Sequence, residues 1–172
     1  MDFNFYIVLL RLIHIGTGVF WAGSIFYLAM FIGPAVKAIP EGGKFMQQLS
    51  NTNKFPIVMM VVVTLNILSG VALVDKMSGH FQGAWFSSTF GMTLSIGGGA
   101  AIIAYAVGLT VNMPTVKKIA AIGKEVAAAG GPPSPDKIQQ LTALRNKLMG
   151  ATNTVAWLLG IAVACMAVGR YI

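Results

Sequence analysis

Four long apolar runs, separated by polar or glycine- and proline-rich stretches, make up this chain. The first, Phe5 to Gly33, reads FYIVLLRLIHIGTGVFWAGSIFYLAMFIG and exceeds the roughly 20 helical residues that cross the hydrocarbon of a bilayer. It predicts a spanning helix that stops at Gly33-Pro34, a helix-ending pair. Within it Arg11, His14, Gly18, Trp21, Ile25 and Leu28 follow steps of three and four and so share one face. Ionisable residues in a span normally face protein or a cavity rather than lipid, so this is the expected inward face. The second run, Phe55 to Val74, is β-branched in its middle (VVVTLNI), which in a soluble protein would suggest a strand. Its length without turn signals predicts a spanning helix instead, with Pro56 in the first turn. Asn66, Ser69 and Gly70 fall on one side of it, where small and polar residues let membrane helices approach and hydrogen-bond.

The third span, about 85–111, starts near Trp85, an interfacial anchor by type, and carries Gly91, Ser95 and the triplet Gly97, Gly98 and Gly99. The fourth, about 151–168, ends before Arg170, Tyr171 and Ile172. Between them, residues 112–150 are polar enough to leave the membrane. Apolar residues recur at helical spacing on both sides of GGPPSP: Val116, Ile119, Ala120 and Val126 before it, then Ile138, Leu141, Leu144 and Leu148. Ser134-Pro135-Asp136 is a helix start with cap, proline and early acid. The third and fourth spans are therefore expected to continue as an antiparallel helical hairpin that turns at Gly130 to Pro133, with Pro114 a candidate kink in its first arm. In the loop after the first span, Glu41 to Asn51 reads as a short surface helix.

Composition agrees with this pattern. Of 172 residues 56% are hydrophobic and 10% charged, against roughly 25% charged in soluble domains, and the mean hydropathy is +0.75. The expected fold is all-α, one integral membrane four-helix bundle over 1–172. The N-terminus MDFNF lacks a basic n-region and the run after it is too long for a signal h-region of about 7–15 residues, so the first span is expected to be retained. Nine of the twelve basic residues, Lys37, Lys44, Lys54, Lys117, Lys118, Lys124, Lys137, Arg145 and Lys147, flank one side, against Arg11, Lys76 and Arg170 on the other. The positive-inside rule then puts the hairpin in the cytoplasm and both termini outside, in a multi-pass protein of a bacterial inner membrane. It also accounts for the formal charge of +7 without nucleic acid, for which no basic patch with interleaved aromatics is present. The single cysteine, Cys165, excludes an internal disulfide.

Hydrolytic chemistry has no residues to work with, since Asp2, Glu41, Asp75, Glu125 and Asp136 all fall outside the predicted hydrocarbon and no phosphate loop or Ser–His–acid set occurs. His14 lies roughly 14 Å into its span at 1.5 Å per residue. Counting inward from the outer side puts Asn66, Met92, Cys165 and Met166 in the same layer, with Arg11 and Arg170 toward its edge. Imidazole is a ligand for haem iron or copper, methionine sulfur a possible second axial ligand, and arginine a partner for propionates. The layer suits a haem b held by His14 among Arg11, Trp21, Asn66, Met92 and Arg170, or a copper(I) site of histidine and methionine; His80, in the second loop, is the other candidate metal ligand. Equally, His14 suits interhelical glue, bonded to a serine, asparagine or carbonyl of a neighbour.

The string LRLIHIGTGVFWAGSIFYLAMF, with Arg11, His14, Trp21 and Gly23 at these spacings, resembles the opening helix of four-span bacterial membrane proteins of the copper-resistance D type, and more loosely that of haem-binding HemJ-like protoporphyrinogen oxidases. The resemblance covers about 25 residues well and the four-span plan loosely; it implies haem ligation at His14. The chain departs from the HemJ-like pattern in lacking a proline-arginine pair after Phe26-Tyr27 and a lysine within the third span, and it carries no methionine- and histidine-rich copper module. Three functions are consistent with these features: a haem b protein that passes electrons or serves a membrane redox complex, a copper-handling protein, and a cofactor-free structural subunit. The expected partners are membrane lipid and either other membrane subunits or further copies of the chain.

Overall fold

In the computed structural model, residues 5–39 and 42–172 are described; Asp2 and Glu41 lie outside them. All regular structure among the described residues is helical. Four helices are long and apolar enough to span a membrane: α1 (Phe5–Ala38), α2 (Phe55–Met77), α3 (Thr89–Ala128) and α4 (Pro135–Tyr171). At 1.5 Å per residue α3 and α4 are each longer than 50 Å by rough count, well beyond a hydrocarbon core of about 30 Å. Their surplus forms the expected hairpin, turning through Gly130 at φ +65°. The Ser134 hydroxyl accepts from the Lys137 amide at 3.5 Å, and Lys137 pairs with Glu125 across the arms. The chain is a multi-pass membrane protein whose outer surface is apolar: Val19, Leu68 and Trp157 are among its large exposed side chains, as lipid contact requires.

Gly33-Pro34 does not end the first helix. Residues Leu28–Ile32 widen into a π turn and Pro34 then sits in the first turn of a further helical segment, Gly33–Ala38. A proline ring removes one amide donor and presses on the carbonyl four residues back; widening the preceding turn shifts the bonding register and absorbs both effects. α3 repeats the device, with a π turn at Gly108–Asn112 followed by Pro114, so the helix is continuous from Thr89 to Ala128. The third span begins at Thr89 and not at Trp85, which lies in a separate turn, Gly83–Phe86, with its ring edge-on to Phe86 and Phe90 at 5.0 and 5.9 Å. Ser88 separates the two by accepting the Gly91 amide at 3.0 Å. The loop helix after α1 is shorter than expected, Gly42–Gln47 followed by a π turn at Gln48–Thr52.

The helices associate as two pairs. α1 lies along α2 and α3 along α4; α1 also touches α4, while α2 and α3 meet sparsely. Of the glycine triplet only Gly97 makes a close approach, where a Cβ would stand 2.7 Å from the Cβ of Cys165 and 3.3 Å from the Ala162 carbonyl; Gly98 and Gly99 face open space. Trp21, Ile25, Met59, Val63, Ala104, Val155 and Leu159 form the common core.

Candidate functional site

Two features of the bundle go beyond the packing of its apolar core. The first joins α1 and α2. His14 Nδ1 donates to the Asn66 carbonyl at 3.0 Å. Asn66 Nδ2 donates back to the His14 carbonyl at 2.7 Å and to Thr17 Oγ1 at 3.2 Å. Each side chain rests on a glycine of the other helix: a Cβ at Gly70 would stand 2.8 Å from His14 Cε1, and one at Gly18 would stand 3.0 Å from Asn66 Nδ2. The clamp is thus reciprocal, and its two halves have one pattern in sequence, a polar residue, two spacers, Thr or Ser, and Gly: His14-Ile15-Gly16-Thr17-Gly18 and Asn66-Ile67-Leu68-Ser69-Gly70. The hydroxyls of Thr17 and Ser69 turn back on their own helices, donating to Ile13 and Leu65 carbonyls at 2.6 and 2.7 Å, so each helix offers its neighbour an acceptor instead of an unbonded O–H.

This arrangement bears on the donor chemistry of His14. Because Nδ1 donates to a carbonyl, the neutral ring keeps its lone pair on Nε2, the tautomer a metal-binding imidazole uses. The other residues of the expected layer do not converge on it. Met92 is 52% exposed and Met166 41% exposed on the outer surface of the bundle. Arg11 and Arg170 are exposed too. Trp21 is buried at 4%, on the far side of the clamp toward the hairpin. His80 lies in the loop after α2, at φ +64°, with Nδ1 at 3.0 Å from Asp75 Oδ1. Among the described residues no three His, Cys, Asp or Glu side chains come together. The structure thus brings His14 and Asn66 together and leaves Met92, His80, Arg11 and Arg170 apart from them.

The second feature went unread in the sequence. A cavity of about 630 Å3 opens between the helices on the hairpin side of Trp21. Trp21, Val63, Ala104 and Val155 close its inner end, and the π turns of α1 and α3 contribute walls, through Leu28 and Ile32 on one side and Gly108 and Asn112 on the other. It exists because α2 and α3 barely pack; the Tyr105 hydroxyl, at 3.0 Å from Thr64 Oγ1, bridges that seam. The lining is mainly apolar and, among the described residues, contains no histidine, cysteine or acid. Two cations, Lys37 and Arg145, stand at its hairpin end. Asn112 Oδ1 is the one buried side-chain oxygen or nitrogen among the described residues without a hydrogen-bond partner, and Asn112 belongs to the wall. That oxygen is out of reach of a water molecule and so lies behind the lining, not on the cavity surface, and leaving it unpaired costs about 1–3 kcal/mol. The available signal was an asparagine two residues before a mid-helix proline, Asn112-Met113-Pro114, since π turns gather at functional sites. Compared with protein-family models, curated proteins and solved structures, the chain matches none of them.

Proposed function

We propose that this protein is a membrane-embedded binding protein for an amphipathic small molecule, whose apolar body enters the bundle between α2 and α3. The observation that carries the reading is the cavity of about 630 Å3 between the helices. Its size falls within the roughly 300–1,000 Å3 of pockets that enclose small ligands, and its make-up, apolar walls with a few polar groups, is the usual one. Binding rather than catalysis follows from the lining, which among the described residues offers no carboxylate or imidazole to move a proton. The test uses Trp21 as reporter. In the Trp85→Phe, Trp157→Phe background, a brominated single-chain amphiphile should quench Trp21 saturably at low mole fraction in detergent. Gly108→Leu should abolish this and leave the fold intact, because a Cβ at Gly108 meets no atom within 4 Å and the longer chain occupies the cavity. Quenching that rises linearly with mole fraction, or survives Gly108→Leu, overturns the reading.

A second reading, haem b ligation by His14 in an electron-transfer or redox-accessory role, is favoured by one observation, the Nδ1–H bond to the Asn66 carbonyl that leaves Nε2 as electron-pair donor. Haem would supply one-electron chemistry. The residues' part is to hold it: His14 by its free nitrogen, with the ring oriented by Asn66. The purified protein should then show a Soret band that His14→Ala removes and His80→Ala leaves unchanged. Bound copper without those bands selects the copper-handling alternative. A colourless, metal-free preparation leaves His14 with its role in the α1–α2 clamp, the structural-subunit expectation.

A further inference from the structure

The hairpin end of the cavity carries two cations, Lys37 and Arg145, without an ion-pair partner among the described residues. Lys37 stands in the last turn of the segment Gly33–Ala38, and Arg145 comes from the α4 arm of the hairpin; both line the cavity. Neither has an acidic partner within 4 Å among the described residues, whose ion pairs join Lys76 and His80 to Asp75, at the opposite end of α2, and Lys137 to Glu125 near the hairpin tip. The Arg145 side chain is exposed, and its guanidinium lies over Gly43 of the loop helix, where a Cβ would stand 2.5 Å from one of its terminal nitrogens. Asn146, Asn51 and Ser50 stand in the same part of the wall and add neutral donors.

Resting on the reading of the cavity as an amphiphile site, we infer that its ligand carries an oxyanion headgroup, carboxylate or phosphate, gripped by Arg145 with Lys37 beside it. A guanidinium presents two parallel N–H groups to either oxyanion, and charge-assisted bonds of this kind are about twice as strong as neutral ones. The apolar walls fix the tail, the two cations fix the head, and the ligand lies with its polar end on the hairpin side. The same geometry gives the hairpin a purpose: it carries Arg145 back over the end of the bundle.

The experiment measures binding of three amphiphiles with the same acyl chain to the delipidated protein in detergent, read by native mass spectrometry and, in the Trp85→Phe, Trp157→Phe background, by Trp21 fluorescence. They are oleate, oleoyl-lysophosphatidate and the uncharged monoolein. The wild type should bind at least one anionic amphiphile at least about tenfold more tightly than monoolein; which of the two is tighter identifies carboxylate or phosphate. Arg145→Gln should remove that preference and leave monoolein binding unchanged, while Arg145→Lys keeps part of it. Equal affinity for all three, or an anionic preference that persists in Arg145→Gln, overturns the headgroup assignment and leaves the cavity reading standing. No binding of any amphiphile to the wild type overturns both.

Discussion

Gly97→Leu should separate α3 from α4 and lower the stability of the purified protein by about 3 kcal/mol or more, at the upper end of what overpacking a tight contact costs. The cause is backbone proximity. A Cβ at Gly97 would already stand 2.7 Å from the Cβ of Cys165 and 3.3 Å from the Ala162 carbonyl, and neither is the far end of a flexible side chain. Leucine at the two adjacent glycines provides the control: a Cβ at Gly98 or Gly99 would meet no atom within 4 Å, and Gly98→Leu and Gly99→Leu should each change stability by no more than about 1 kcal/mol, in the favourable direction if helix propensity dominates. Thermal or SDS unfolding followed by circular dichroism reads all three. A further variant isolates the contact. Gly97→Ala alone should destabilise, and Cys165→Gly added to it should recover part of the loss by removing the atom that clashes. Three equal losses, or no recovery in the pair, would show that the α3–α4 contact is not set at Gly97.

The contrast within that triplet illustrates what could be read from the chain and what could not. The four spans, the hairpin and the cap at Ser134 were legible because each depends on local signals, namely run length, periodicity and capping chemistry. The inward face of α1 was legible for the same reason: Trp21 and Ile25 are buried, His14 and Gly18 meet α2, and Leu28 reaches the cavity. Arg11, the first residue of that stripe, is exposed, because only its more central positions have a neighbour to face. Counting residues from the membrane edge placed His14 and Asn66 at one height, and they do meet. The same count placed Met92 and Met166 there, and both point away, since depth fixes the height of a residue but not its azimuth around the helix. Gly33-Pro34 misled because the rule for proline assumes an α turn before it; a π turn changes the register and lets the helix continue. The cavity was out of reach for a further reason. Its wall draws on all four long helices and the loop helix, and it depends on α2 and α3 failing to pack, a property of helix pairing that no single segment encodes.

Breaking the α1–α2 clamp should be the second largest effect, and it should be less than additive. Asn66→Leu removes the donor to the His14 carbonyl and to Thr17 but keeps the Asn66 carbonyl that accepts from His14 Nδ1. His14→Leu removes that second bond but keeps the carbonyl that accepts from Asn66. The two bonds are therefore formally independent, each from a side chain of one helix to the main chain of the other. Interhelical hydrogen bonds in membranes are worth about 0.6 kcal/mol on average and up to about 1.7. Asn66→Leu, which loses two contacts and leaves a buried carbonyl with fewer donors, is expected near the upper value and His14→Leu nearer the average. Because both bonds cross the same contact, losing either relaxes the approach over Gly18 and Gly70 that the other needs, so the double variant should cost less than the sum of the singles. Gly70→Ala provides an independent check. Its methyl group would stand 2.8 Å from His14 Cε1, displacing the ring without deleting any donor, and its cost should largely vanish in the His14→Leu background, whose side chain has no hydrogen bond to protect. Strict additivity of His14→Leu and Asn66→Leu, or an undiminished cost of Gly70→Ala once the imidazole is gone, would mean that the two helices are held by something other than this exchange of hydrogen bonds.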